Sequence, residues 1–295
     1  MSEARTNGLA YILLALTALM WGCNAIFGKL AVGEVSPMAL VSLRWFFVLF
    51  LLILVAGHQV RRDWSHLRPR LLFLFLMGSL GFTGFNALFY SAAHLTTAVN
   101  IGIIQGSIPV FVLIGVFLIF HTPVTLYQMI GVVVTLIGVA TVVFEGDFAR
   151  LASFAVNRGD LLMVLACFLY AGYTTGLSDK PKAGALSLLT ILAASAFVAS
   201  IPLALAEVAY GAYQPPTTKG WILVGLIALL PSFLSQIFYI RGIELIGPGR
   251  AGVFVNLVPV FASILSVLYL GEEFAPYHAI ALALVLGGIW LSERK

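Results

Sequence analysis

Two groups of polar and aromatic residues inside apolar runs have the types and spacing to hold a solute. Ser79, Phe82, Asn86 and Tyr90 recur three or four residues apart, which stacks them on one face of a helix. Ser232, Ser235, Gln236 and Tyr239 repeat the idea further along the chain. Facing each other, carboxamides and hydroxyls would orient a small molecule while aromatic rings bury its apolar part. Trp21 and Asn24, Trp45, Tyr170, Tyr173 and Thr174, and Asn256 are further candidates of the same kind. The alternative is plain architecture: interhelical hydrogen bonds between such groups are worth about 0.6 kcal/mol each, and large aromatics also pack helices together.

The remaining polar residues narrow the chemistry. Arg44 lies about seven residues into an apolar run. A central arginine would cost about 2.5–3.5 kcal/mol and less near the interface, so the side chain is expected to reach the outer interface or the carbonyls of helix ends. Pairing with a substrate carboxylate is its other reading. Lys29 is placed to snorkel from the outer end of the first run. Glu34, Glu145, Asp147, Asp160, Glu207, Glu272 and Glu273 all fall at or near run ends. Without an acid at the midplane, facilitated diffusion or weak coupling to a proton gradient is expected. His58, His66, His94, His121 and His278 lie near run ends without metal-ligand spacing, and Cys23 and Cys167 read as small packing residues. No G-x-S-x-G, Walker loop or H-E-x-x-H occurs, which argues against a hydrolase or an ATP-driven pump. Neither enzyme activity, metal nor cofactor is expected.

The elements that must position these residues follow from composition. Of 295 residues, 61% are hydrophobic and 9% charged, against about 25% charged in soluble domains. The formal charge of +4 is scattered between apolar runs, which excludes a nucleic-acid-binding module. Apolar runs of about 20 residues predict membrane-spanning helices, too long for barrel strands. Ten spans are placed at 9–32, 37–57, 70–93, 98–120, 124–144, 159–179, 184–208, 220–242, 249–270 and 275–292. The first run continues past Trp21 with no A-x-A-like site before it, so it reads as a retained helix. With the N-terminus inside, eleven basic residues (Arg5, Arg61, Arg62, Arg68, Arg70, Lys180, Lys182, Arg241, Arg250, Arg294 and Lys295) face the cytoplasm, against Arg150, Arg158 and Lys219 outside. Both termini are therefore expected in the cytoplasm.

The chain also matches itself. A shift of 150 residues aligns Gly102 with Gly252, Pro109-Val110-Phe111 with Pro259-Val260-Phe261, and Gly138 with Gly288, within ten ungapped identities over 37 positions. It also sets Asn86 beside Gln236 and Gly22 on Gly172. Two repeats of five spans, 1–145 and 146–295, follow, and an odd number gives the halves opposite orientations. The fold expected is all-α, a polytopic integral membrane protein of ten transmembrane helices as two inverted five-helix repeats. Its substrate site would lie between the halves. Pro109 and Pro259 fall mid-span at equivalent positions, where each removes a backbone donor and makes a static kink or a hinge.

Trp21-Gly22 followed by Asn24 and Phe27, Arg44, Asn86-Ala87-Leu88 running to Ser91, the two Pro-Val-Phe triplets and Leu270-Gly271-Glu272 form an ordered set. With the five-plus-five repeat, this set resembles the EamA-type branch of the drug/metabolite transporter superfamily, and within it the YddG-type exporters of aromatic and other amino acids. The resemblance implies a ten-helix basket around a central cavity, working by alternating access in a bacterial inner membrane. One departure is clear: Phe120-His121-Thr122 replaces the Leu-Gly-Glu ending in the first half, so a role for Glu272 shared by both halves is not supported and the residue reads as structural.

The function expected is secondary, non-ATP-driven export of amino acids or related small metabolites by a multi-pass protein of the cell inner membrane. Its partners would be a small-molecule substrate and membrane lipid, with no nucleic acid; the oligomeric state is left open. A multidrug or lipophilic-cation extruder is one alternative, which normally wants a buried anion. A channel or membrane scaffold is the other.

Overall fold

The computed structural model describes residues 3–121, 124–147 and 157–292. Arg150, Arg294, Lys295 and Thr122 lie outside them. Among the described residues every regular element is helical: α1 (Glu3–Leu30), α2 (Pro37–Leu67), α3 (Leu71–Gly78), α4 (Phe85–Ala93), α5 (Ala98–Gln105), α6 (Ile108–Phe120), α7 (Leu126–Val143), α8 (Arg158–Gly176), α9 (Ala185–Ala209), α10 (Thr218–Ile227), α11 (Ser235–Ile246), α12 (Pro248–Gly252), α13 (Val258–Leu265) and α14 (Pro276–Ser292). Side-chain caps fix several starts. Thr97, Asn157 and Thr217 accept backbone N–H groups of α5, α8 and α10, and Thr125 with Gln128 forms a capping box on α7.

Among the described residues eight helical stretches are long and apolar enough to cross a membrane, against ten runs read from the sequence. The difference arises in two places. The runs at 37–57 and 70–93 are joined in one helical stretch, Pro37–Ala93, because α2 continues through polar residues to Leu67 and a 3-10 turn, Arg68–Arg70, carries the chain directly into α3. The stretch doubles back there, since Arg44 of α2 hydrogen-bonds Asn86 of α4. The last run folds as Pro276–Ser292, a shorter apolar helix of 17 residues. On the outside, Leu54, Leu72, Leu126 and Leu268 are 68 to 73% exposed, an apolar surface suited to lipid.

The helix irregularities recur 150 residues apart. A π-helical segment joins α3 to α4 at Ser79–Gly84, and another joins α10 to α11 at Ala228–Leu234. α5 breaks off at Gln105 before α6 restarts one residue ahead of Pro109. A 3-10 segment, Val253–Leu257, separates α12 from α13 one residue ahead of Pro259. Lacking an N–H, each proline leaves the carbonyl four residues earlier without its helical donor, which makes these the places where the helices interrupt. The helix ending at Phe120 is closed by His121 at φ 51°, and its counterpart ending at Leu270 by Gly271 at φ 64°.

Packing follows the same shift. α1 packs on α11 and α13, while α8 packs on α4 and α6. α2 lies along α9, and carboxylates clasp the pair at both ends. Glu207 near the end of α9 accepts N–H groups of Met38 and Ala39, both at 3.1 Å, and the Ser36 hydroxyl at 2.5 Å. Asp63 near the end of α2 accepts the Gly184 N–H at 2.9 Å and the Ser187 hydroxyl at 2.7 Å. Each negative group meets the positive end of the other helix, so the two helices run antiparallel. α7 and α14 also run antiparallel and touch through backbone. A Cβ on Gly288 would lie 2.6 Å from the Gly131 carbonyl, and one on Gly138 would lie 3.0 Å from the Ala281 carbonyl.

Candidate functional site

The helices enclose a cavity of about 120 Å³ that leads into a vestibule of about 910 Å³. The two share Trp21, Pro109, Tyr170, Gln236 and Asn256 on their walls, so they form one continuous space. The vestibule passes Tyr239, Tyr173 and Thr174 and reaches Lys180 and Ser292 at one end of the bundle. The other end is closed. There Glu272 accepts the N–H groups of Ala98 and Val99 at 2.8 and 2.9 Å, capping α5. Lys29 donates to the carbonyls of Ala93 and Thr96 at 3.0 and 2.7 Å, covering the end of α4. Glu34, on the turn after α1, accepts from Thr217 and pairs with Lys219 at 3.2 Å. The Thr217 hydroxyl and then Lys219 hold its carboxyl below the usual range.

Local backbone geometry aims the polar groups of the inner cavity. The Asn86 side-chain amide donates to the Phe82 carbonyl at 2.5 Å, a carbonyl that lies inside the first π segment. This turns Asn86 Oδ1 toward Arg44, whose Nη1 donates to it at 2.7 Å. The same Nη1 donates to the Tyr90 hydroxyl at 2.5 Å and to Asn24 Oδ1 at 3.4 Å, while Tyr90 donates to Asn24 Oδ1 at 3.0 Å. In the second π segment Ser232 donates to the Ile227 carbonyl at 2.5 Å, and just beyond it Ser235 returns its proton to the Pro231 carbonyl at 2.8 Å. Aromatic rings complete the wall: Trp45 stacks on Phe82 with centroids 4.6 Å apart, Phe82 meets Tyr173 at 5.1 Å, and Tyr173 meets Tyr170 at 5.3 Å. Trp21 lies 5.2 Å from Tyr239.

Most residues singled out in the sequence converge on this space. Asn86, Gln236, Phe82, Ser232, Trp21, Asn24, Trp45, Tyr170 and Asn256 line the inner cavity with Pro109 and Pro259; Tyr239 and Tyr173 line the vestibule. Three do not reach it, among them Ser235, which is fully buried with its hydroxyl on the Pro231 carbonyl. Tyr90 is fully buried behind the wall as a hydrogen-bond partner of Arg44, and Ser79 is turned away with its hydroxyl unpartnered. The π segment explains Ser79: an extra residue in the turn rotates everything before it off the face that carries Asn86. Arg44 was expected at the outer interface or on helix-end carbonyls. It is instead buried on the cavity wall, 6% exposed, because three polar side chains from α1 and α4 receive it there.

A second buried polar group lies toward the closed end. Asp160 in the first turn of α8 is fully buried and accepts from the Thr96 hydroxyl at 2.5 Å and from the Asn100 amide at 3.2 and 3.1 Å. Asn100 Oδ1 lies 2.9 Å from His278 Nε2, and His278 Nδ1 accepts the Ala275 N–H at 2.9 Å. That last bond occupies Nδ1 as an acceptor, which fixes the Nε2–H tautomer and makes His278 the donor to Asn100. These residues tie α5, α8 and α14 together. Among the described residues no cluster of His, Cys, Asp or Glu could hold a metal ion.

A bundle of apolar helices closed around an amide- and aromatic-lined cavity, shut at one end and open at the other, has the form of a multi-pass membrane transporter. The chain belongs to the EamA-like transporter family, within the drug/metabolite transporter superfamily: the family model matches residues 8–144 and again 157–294. It is 27% identical over 293 residues to the uncharacterized transporter YyaM of Bacillus subtilis (strain 168), covering 95% of this chain and 92% of that one. It is likewise 27% identical over 292 residues to the uncharacterized transporter YetK of the same organism, covering 97% and 87%. An uncharacterized transporter of Archaeoglobus fulgidus is 26% identical over 300 residues, with 98% and 99% covered. One crystal structure shares the fold at a TM-score of 0.62 and 17% identity, over 98% of this chain and 96% of that one.

Proposed function

We propose that this protein is a secondary transporter that exports amino acids or related small metabolites from the cell through the central cavity by alternating access. The observation that carries the reading is one space, lined by amides and aromatic rings, with one end sealed and the other open. Its vestibule, at about 910 Å³, is large enough for such solutes. The Gln236 side chain lines the cavity with no hydrogen bond to another side chain or to the backbone among the described residues, and offers its amide to a solute. The sequence likeness to YddG-type exporters supplies the amino-acid class.

The architecture in this reading is ten crossings of the inner membrane in two inverted repeats, 1–145 and 146–295, with both termini in the cytoplasm. The antiparallel course of the α2/α9 and α7/α14 pairs supports the inversion, because each pair joins equivalent elements of the two halves. The doubling back at Arg68–Arg70 supports the count. The vestibule opens beside Lys180, on the face that the basic residues assign to the cytoplasm, so this conformation faces inward. Pro109 and Pro259, at the breaks in two cavity-lining helices, are where the bundle would flex.

Purified protein in liposomes should move a labelled amino acid from a panel of phenylalanine, threonine and methionine, and Asn86→Ala or Gln236→Ala should lower the rate. Absence of flux across that panel would remove the substrate class. A lipophilic-cation extruder is the poorer fit, since no carboxylate lines the cavity or the vestibule among the described residues.

A further inference from the structure

Arg44 carries a buried positive charge to which the protein offers no counter-ion, only the rings of Trp45 and Tyr90, whose centroids lie 5.3 and 5.9 Å from its Cζ. Its guanidinium sits on the wall of the inner cavity, and all three of its hydrogen bonds leave from Nη1 toward neutral acceptors, Asn24, Asn86 and Tyr90. Nε has no partner, and no bond engages Nη2. No carboxylate pairs with Arg44 among the described residues. Beside it Trp45 Nε1 is a second buried donor without an acceptor. A buried charge without a counter-ion is costly, and an unmet buried donor adds about 1–3 kcal/mol. Such an arrangement is retained where another molecule completes it.

We propose that the transported solute completes it with a carboxylate, seated side-on across Nε and Nη2 of Arg44. Planar, bidentate acceptance is what the guanidinium fork fits, and two carboxylate oxygens match its two free nitrogens. The Nη1 bonds hold the fork still, so that Asn24, Asn86 and Tyr90 act as positioning residues for Arg44. On this assignment the aromatic wall takes the solute's side chain and Gln236, across the cavity, takes its remaining polar group. The inference rests on the transporter reading above and narrows it to solutes that carry a carboxylate.

The test uses whichever amino acid of the panel is moved fastest, bound in labelled form to the detergent-purified full-length protein. Unlabelled competitors are the same amino acid, its methyl ester, the amine that lacks the carboxyl group, and the acid that lacks the amino group. The assignment predicts that the ester and the amine compete at least about 100-fold more weakly than the parent, whereas the acid loses less. Arg44→Lys keeps the charge without the fork and should weaken the parent while flattening its advantage over the ester. Should the Arg44 variant fail to fold, the competitor series on the unaltered protein decides alone. Equal competition by acid, ester and amine would overturn the carboxylate assignment and leave the transporter reading standing. No flux of any amino acid in the panel would overturn both.

Discussion

Two adjacent glycines of α14 make opposite predictions from the same substitution. At Gly288 a new Cβ would sit 2.6 Å from the Gly131 carbonyl and 2.7 Å from the Thr135 nitrogen. That is roughly 1 Å short of the ~3.5 Å at which nonbonded atoms attract. Both neighbours are backbone and cannot rotate aside, so α7 and α14 must separate. Overpacking of this kind costs about 1–3 kcal/mol, and the loss of close contact places Gly288→Ala at the upper end. Alanine's advantage over glycine in a helix, about 0.8–1 kcal/mol, offsets only part of it. The net effect is a destabilisation of about 2 kcal/mol. At Gly287 an added Cβ meets nothing within 4 Å, so Gly287→Ala keeps the helix advantage and stabilises by about 0.5–1 kcal/mol. Thermal unfolding in detergent, followed by tryptophan fluorescence, should separate the two by several degrees, at roughly 2–4 °C per kcal/mol. A Gly288→Ala protein as stable as Gly287→Ala would refute the backbone contact between α7 and α14.

Three further outcomes are expected. Glu272→Gln removes the charge from the cap on α5, should cost about 1–2 kcal/mol in thermal stability, and should make a cysteine placed near the sealed end react faster with a water-soluble maleimide. His121→Gly relieves a left-handed backbone position that its counterpart Gly271 already fills with glycine; it should raise the unfolding midpoint by the equivalent of about 0.5–1 kcal/mol in the same assay. Glu34 has a folded carboxyl held below its unfolded value, so its stabilisation is present above the ordinary carboxylate range of about 4 and is lost as pH falls through the lower folded value. A small midpoint difference between the parent protein and Glu34→Gln should therefore exist at pH 7 and vanish in acid.

The apolar runs made most of the helices legible, because hydrophobic length is set by the membrane itself. The helix faces were legible where the turn is regular. Asn86, Phe82 and Gln236 could be placed together from spacing and the 150-residue shift, whereas Ser79 could not, because the π segment at Ser79–Gly84 breaks the 3.6-residue period. The extension of α2 to Leu67 was hidden for a different reason: its last turns are polar, and the partner that Asp63 caps lies 121 residues away. Depth in the membrane can be read from sequence, but azimuth cannot. Arg44 was located in depth, yet its destination depends on Asn24, Asn86 and Tyr90 on two other helices. The Asp160, Asn100 and His278 group escaped for the same cause. Asp160 and His278 read as polar residues near run ends, and Asn100 did not stand out at all, because only the packing of α5, α8 and α14 buries them together.

Alternating access requires one cavity to serve the two sides of the membrane in turn. Counterflow tests it most directly: liposomes holding the protein are loaded with an unlabelled amino acid of the panel and diluted into a trace of the same compound in labelled form. Alternating access predicts that the label rises inside transiently above its equilibrium level, and that the overshoot saturates as the external concentration increases. Label that climbs smoothly to equilibrium, regardless of the internal load and without saturation, would mean an open pore and contradict the account.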